Sequence, residues 1–222
     1  QGIKMDKDKI KYDENGYVVI DDFLPVDVYN EIVDIFHQDE YVEITQSFDD
    51  RYELWKNNDK YFPSVDEVYT NHFWGSPDIS HNSRVLNVYQ KYIKPVVDLI
   101  SGGQAGKGRH QATKYNKNGK DFLRTHIDDY MGYIGYVMHF QKETWKYDWG
   151  GLLQMSIDED IKTILPRPNR LVVHNHSKGI PHWVTPVNGW SKENRYTLIG
   201  FCIRSDDELP ETWRSRNDYS IL

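Results

Sequence analysis

The sequence predicts a mostly β protein in which α-helices support a jelly-roll core, a cupin-like double-stranded β-helix. Three observations carry this expectation. From Arg109 onward the chain breaks into short strand-like runs separated by Gly, Pro and Asn turns. Two helical patterns precede that region, with apolar residues recurring three and four apart. No Pro/Ser-rich linker, long charge run or internal repeat interrupts the 222 residues. A single domain over 1–222 is therefore expected, with helical support over about 17–105, a jelly-roll core over about 109–204 and a tail over about 205–222.

Taken in order, Tyr17 to Ile20 reads as an early strand. Residues 25–36 follow as a helix, because Val28, Ile32, Ile35 and Phe36 recur at helical spacing. It closes at His37-Gln38-Asp39, read as a solvated helix end. A second helix is expected over 84–100, with Val85, Val88, Tyr89, Tyr92, Ile93 and Val96 on one side. Between the two helices, residues 41–81 are acidic and aromatic, and their periodicity is weak. With Trp55, Tyr61, Phe62, Tyr69, Phe73 and Trp74, this stretch reads as a packed irregular insertion. Strands are then expected over 133–140 and 172–176, from Pro181 to Val187, and through Arg195, Thr197, Ile199, Phe201 and Ile203, which alternate onto one face.

Charge and hydropathy exclude several classes. A net charge of −7 and a pI near 5.7 argue against a large phosphate-binding surface, so no nucleic-acid partner is expected. No apolar run approaches transmembrane length, and the mean hydropathy is −0.75. Cys202 is the single cysteine, so no intrachain disulfide can form and the cytoplasm is the expected compartment. Its apolar strand makes it structural. Asn175-His176-Ser177 fits a glycosylation acceptor, a triplet common by chance and discounted here.

The chemistry lies in His126-Ile127-Asp128, then Pro181-His182-Trp183-Val184, then Arg195-Tyr196-Thr197. Two imidazoles and a carboxylate in this order can hold one face of a ferrous ion and leave the opposite face open. His37 and Asp39 share the triplet spacing but not the geometry, since residues two apart on a helix diverge. His126 and Asp128 sit in extended sequence, where residues two apart share a face. For the third ligand His174, His176 and His182 compete. His182 is favoured, because 182 − 128 = 54 residues leave room for a late strand to return beside an early one. Downstream, Arg195 and Thr197 point to one side together, and an inward Arg needs an anion. The alternative is a core ion pair with a carboxylate.

Further motifs occur in a familiar order: Tyr17-Val18-Val19-Ile20-Asp21-Asp22-Phe23-Leu24, Lys114-Tyr115-Asn116, Trp149-Gly150-Gly151-Leu152-Leu153-Gln154 and Arg170-Leu171-Val172-Val173. With the residues above, they resemble the small prolyl-4-hydroxylase-like branch of the Fe(II)/2-oxoglutarate-dependent dioxygenases, over about 17–204. The resemblance implies a hydroxylase of an unactivated C–H bond. It implies Fe(II) on His126, Asp128 and His182, 2-oxoglutarate and O2 as cosubstrates, succinate and CO2 as coproducts, and ascorbate as a candidate reductant. Arg195 then pairs with the distal carboxylate of 2-oxoglutarate, helped by Tyr115 and Thr197. The carboxylate of Asp128 favours hydroxylation over halogenation, for which related enzymes carry a small residue instead. The chain departs from the family at Met138-His139-Phe140-Gln141, where members often have Tyr-Leu-Asn. Asp129, Tyr130, Tyr133, Trp149 and Trp183 are candidate walls for a peptide or small-molecule substrate, peptidyl proline being the first class to test. The other function classes are a cupin-like metal isomerase and a non-catalytic binding module that has kept the fold.

Overall fold

The computed structural model describes residues 16–38, 40–45, 72–128, 132–210, 213 and 219–222. Two antiparallel sheets form the core. The larger runs in the order β1 (Tyr17–Ile20), β9 (Leu171–Asn175), β6 (Ile134–His139), β11 (Arg195–Arg204), β4 (Ala105–Tyr115), β3 (His72–Ser76), β2 (Val42–Thr45), with β12 (Ser220–Ile221) also pairing β4. The smaller runs β5 (Leu123–His126), β10 (His182–Val184), β7 (Leu153–Ile157), β8 (Asp160–Ile164). Apart from the β7–β8 hairpin and the β2–β3–β4 run, neighbours in each sheet come from distant parts of the chain, as in a jelly roll.

Side-chain alternation divides the interior into two cores. Ala112, Ile134, Tyr136, Met138, Leu171, Val173, Leu198 and Cys202 face the helices, while Tyr115, Val172, Leu153, Met155 and Val184 lie between the sheets. β6 and β9 are covered on both faces, which is why Ile134, Tyr136, Val137, Met138 and Leu171 to Val173 run apolar there, whereas β4 and β11 carry buried polar residues. Helix α1 (Val26–Phe36) turns Tyr29, Ile32, Val33 and Phe36 inward, and Phe36 stacks on Phe140 with ring centroids 4.3 Å apart. Helix α2 is one turn (Pro77–Ser80). Among the described residues no helix is long and apolar enough to cross a membrane.

Four local expectations are corrected. The second helix is not uniform: α3 (Ser83–Val88) passes through a π-helical turn (Tyr89–Ile93) into α4 (Lys94–Ile100). Pro95 lacks the N–H that would close the i−4 bond there, and the widened turn just before it absorbs the loss. The aromatic insertion is partly sheet, since β2 and β3 pair with each other and β3 with β4. Trp55, Tyr61, Phe62 and Tyr69 lie outside the described residues. His37 is not a solvated helix end. Its Nε2 lies 2.9 Å from the Phe140 carbonyl and its ring 4.2 Å from that of Tyr196, and burial lowers its pKa. Asp39 is outside the described residues. The last residues are not a free tail: β12 pairs with His110 and Arg109, and the Arg109 guanidinium lies 4.6 Å from the Tyr219 ring centroid and 5.0 Å from that of Phe201.

Candidate metal and cosubstrate site

β5 and β10 are antiparallel neighbours, and their register sets His126 directly opposite His182. The two rings face each other with centroids 4.2 Å apart. Asp128 is two residues beyond His126 and 5% exposed. Its Oδ2 lies 3.1 Å from His182 Nε2 and its Oδ1 3.4 Å from His126 Nε2. One ligand atom from each of the three residues falls within 4.8 Å of the others. The tautomers are set from behind. His126 Nδ1 is 2.7 Å from the Arg124 carbonyl and His182 Nδ1 3.0 Å from the Ile180 carbonyl. A carbonyl can only accept, so each Nδ1 carries the hydrogen and each Nε2 lone pair is left for the site. Burial opposes charge on Asp128, but His126 and His182 outweigh it and hold the carboxyl well below its usual range. His182 is raised despite burial, because Asp128 and the Ile180 carbonyl favour its protonated form. Two imidazoles and an ionised carboxylate on one side suit a first-row divalent ion. Of the three competing histidines, His182 pairs across the sheet with His126, while His174 and His176 reach Asp128 from β9 and the turn after it.

A second polar cluster sits between the sheets on the inner face of the larger one. Arg195 is 2% exposed, and its Nε has no hydrogen-bond partner. Among the described residues no carboxylate acts on it. Burial lowers its pKa to about 10, Tyr115 opposes that shift, and the guanidinium stays charged at neutral pH. Tyr115 is the cross-strand partner of Arg195, its ring centroid 5.0 Å from the guanidinium carbon, and burial pushes its phenol up to about 12. Thr197 pairs with Thr113, their hydroxyls 2.6 Å apart. A buried cation without a counter-ion costs several kcal/mol, and the cluster can accept an anion that arrives from outside. Among the described residues no core ion pair accounts for Arg195.

His139 belongs to the same cluster and was not singled out from the sequence. It is fully buried, pairs with Thr197 across the sheet, and neither ring nitrogen has a partner. Burial first, then the charges of Arg195 and Arg170, hold it neutral, with its pKa well below the usual value. The signal was present. His139 alternates with Val137 and Gly135 on the inner face of β6, and it falls in the segment where the chain departs from the Tyr-Leu-Asn pattern.

Comparison with known proteins gives this geometry a family. Residues 110–203 match the family model described as the 2OG-Fe(II) oxygenase superfamily. The matched stretch covers most of the jelly-roll core, which is similar to that superfamily. The chain shares its fold with a prolyl-4-hydroxylase from Pseudomonas putida, at TM-score 0.58 and 20% identity, covering 85% of this chain and 92% of that one. It is also similar to a Trichoplax adhaerens prolyl hydroxylase in complex with a hypoxia inducible factor peptide fragment, at TM-score 0.57 and 16% identity, covering 86% of this chain and 85% of that one. The non-heme alpha ketoglutarate dependent epimerase SnoN from nogalamycin biosynthesis matches at TM-score 0.56 and 11% identity, covering 90% of this chain and 87% of that one. At these identities the likeness is one of fold. Comparison with curated protein sequences gave no match.

The expected substrate walls are dispersed. Trp183 lies between two inward residues of β10 and so points out of the sandwich, where its Nε1 donates to Gln154 Oε1 at 2.8 Å. It is not a wall of the site. Trp149 is 4% exposed, edge-on to Trp145 with centroids 5.3 Å apart, and belongs to the core between the sheets. Its segment serves the site indirectly. Gly151 has no side chain where a Cβ would stand 3.1 Å from Arg195 Cδ, so the arginine stem can pass. Tyr133 lines an open cleft of about 400 Å³ with Gly132, Ser177, Arg204, Asp207 and Glu208. Asp129 and Tyr130 lie outside the described residues.

Proposed function

We propose that this oxygenase hydroxylates an unactivated C–H bond with Fe(II), 2-oxoglutarate and O2, and that peptidyl proline is the first substrate class to test. The observation that carries the reading is Arg195, buried and with no carboxylate partner among the described residues, in the same sandwich as His126, Asp128 and His182. His126, Asp128 and His182 would hold the iron through two Nε2 atoms and a carboxylate oxygen. Iron and 2-oxoglutarate bound there supply O2 activation, with succinate and CO2 as coproducts. The chain's own part is placement. The Arg124 and Ile180 carbonyls hold the two imidazoles in the ligating tautomer. Arg195 gives charge-assisted hydrogen bonds to the 5-carboxylate, and Thr197, Tyr115 and His139 stand where further donors are needed. Val172, Val184 and the partly buried Val137 line the space between the sheets and keep water away.

A peptide is favoured over a small molecule by the outer surface. The cleft beside Tyr133 shares Ile203, Asp207 and Glu208 with a second cleft of about 480 Å³ that also takes in Lys107 and Leu209. Both clefts lie beside the end of β11, where a peptide that crosses Ile203, Asp207 and Glu208 would touch each of them. The cytoplasm is the proposed compartment, on the single cysteine, and ascorbate is the reductant to include in assays.

The test is succinate formation with Fe(II), followed by mass spectrometry of a panel of proline peptides and free amino acids for one added oxygen atom. Hydroxylated peptide is the expected result. Hydroxylation of free amino acids alone would move the substrate class to small molecules. Absence of succinate under every condition would sink the oxygenase reading and favour an O2-independent metal enzyme. His126→Ala and His182→Ala should each abolish 2-oxoglutarate turnover with the fold retained. Loss on replacing His174 or His176, with full activity after His182→Ala, would reassign the third ligand.

A further inference from the structure

Asp128 faces more imidazoles than one metal position uses. His176 Nε2 lies 3.8 Å from Asp128 Oδ2. Ligand atoms of Asp128, His174 and His176 all fall within 4.8 Å of one another, and all three residues are buried. His176 Nδ1 is 3.2 Å from the Gly132 carbonyl, which assigns the hydrogen to Nδ1, while Nε2 has no partner. The arrangement repeats the one that prepares His126 and His182: a carbonyl behind and a lone pair in front. Gly135 on β6 stands directly opposite His174. A Cβ there would collide with His176 Nε2 and come 2.9 Å from His174 Nε2. Both nitrogens therefore converge on the space that the glycine leaves vacant. A lone buried histidine is ordinarily a core residue with its hydrogen bonds made. Two that converge beside a carboxylate, one with an orphaned lone pair, form a donor set.

We propose that Asp128, His174 and His176 form a second divalent-cation position beside the first, taking an imidazole-preferring ion such as Zn(II) or Co(II). The inference rests on the reading of Asp128 as a ligand of the first ion. Its two oxygens offer enough lone pairs to serve both positions. Since the one carboxylate is shared, the second ion binds more weakly than the first.

The test is equilibrium dialysis of the full chain against Co(II), read by metal analysis, with a circular-dichroism melt for every variant. The wild type should take up two equivalents, the second weaker. His174→Gln and His176→Gln, which keep bulk but lose the imidazole, should each stop at one. Gly135→Ala places a methyl group in the shared space and should also stop at one. His126→Gln should weaken the first equivalent and spare the second. A wild type that saturates at one equivalent overturns the proposal. So do folded glutamine variants, or a folded Gly135→Ala, that still take two. If His126→Gln leaves all binding unchanged while the His174 and His176 variants abolish it, the single metal position is theirs, and the assignment of the first site fails instead.

Discussion

Arg195 and His139 are each costly where they stand, and the cost is informative. Among the described residues Arg195 has no counter-ion, and the neutral His139 ring has no partner for either nitrogen. Arg195→Ala should weaken 2-oxoglutarate binding by about 2–5 kcal/mol while barely changing metal affinity, as read by calorimetric titration with an inert divalent metal. An unchanged dissociation constant would remove the cosubstrate assignment. His139→Phe should lower the same affinity by about 1.5–3 kcal/mol, the worth of a hydrogen bond to a charged group. The melting temperature should hold or rise, since two orphaned polar atoms leave the core. A fall in stability with unchanged affinity would mark His139 as packing alone. Arg195 was legible in the sequence because its alternation with Thr197 and Ile199 is plain. His139 was not, because a histidine in an apolar strand reads as core until its neighbours are known.

At the level of elements, two short connections hold the sandwich in register. Arg170, at the start of β9, grips Asp21 just past β1 with two hydrogen bonds of 2.6 and 2.8 Å. The hydrogen bond from Arg170 lowers the Asp21 pKa, partly offset by burial. A carboxyl lowered in the folded state contributes stability above its unfolded pKa of about 3.9, and loses it as pH falls through the lower folded value. Asp21→Asn should therefore reduce stability at neutral pH and flatten its loss on the acid side, as measured by urea unfolding across pH. The other connection is the turn at Gly150, with φ 69° and ψ −151°, a region essentially reserved for glycine. A Cβ there would also collide with the Pro186 carbonyl oxygen. Gly150→Ala should cost about 3 kcal/mol or more in chemical denaturation, given strain of about 1–3 kcal/mol before the collision is counted. Both elements were visible as motifs, but motif order does not tell that Asp21 and Arg170 touch. The π-helical turn was hidden differently. Tyr89, Tyr92, Ile93 and Val96 keep an apolar stripe through it, so the periodicity carried past Pro95 without a break.

For the whole molecule, the jelly roll was legible from Arg109 onward because its strands are short, alternating and bounded by turn residues. The share of the sheet contributed before that point was not. β2 and β3 lie in sequence too aromatic and acidic to alternate cleanly, and they gain order by pairing with each other and, through β3, with β4. The metal triplet was legible because extended backbone aligns residues two apart, but His174 and His176 came into view only once β9 was placed beside β6. Under the proposed function the two clusters should bind their ligands in sequence, metal first. 2-Oxoglutarate should raise the melting temperature when a divalent ion is present and fail to do so after chelation. At a hundredfold excess over its dissociation constant, the gain is about 2.7 kcal/mol. Stabilisation by 2-oxoglutarate alone, equal with and without metal, would show that the two clusters bind independently.

His126 and His182 belong to the smaller sheet, whereas Arg195, Thr197, Tyr115 and His139 all belong to the larger. The two halves of the chemistry are thus inherited on separate pieces of architecture. Under the proposed function, mutation along β4 and β11 can retune the choice of organic acid without disturbing the pairing of His126 with His182 across β5 and β10. The second cation position proposed above stands apart from that division, since His174 lies on β9 and Gly135 on β6 of the larger sheet.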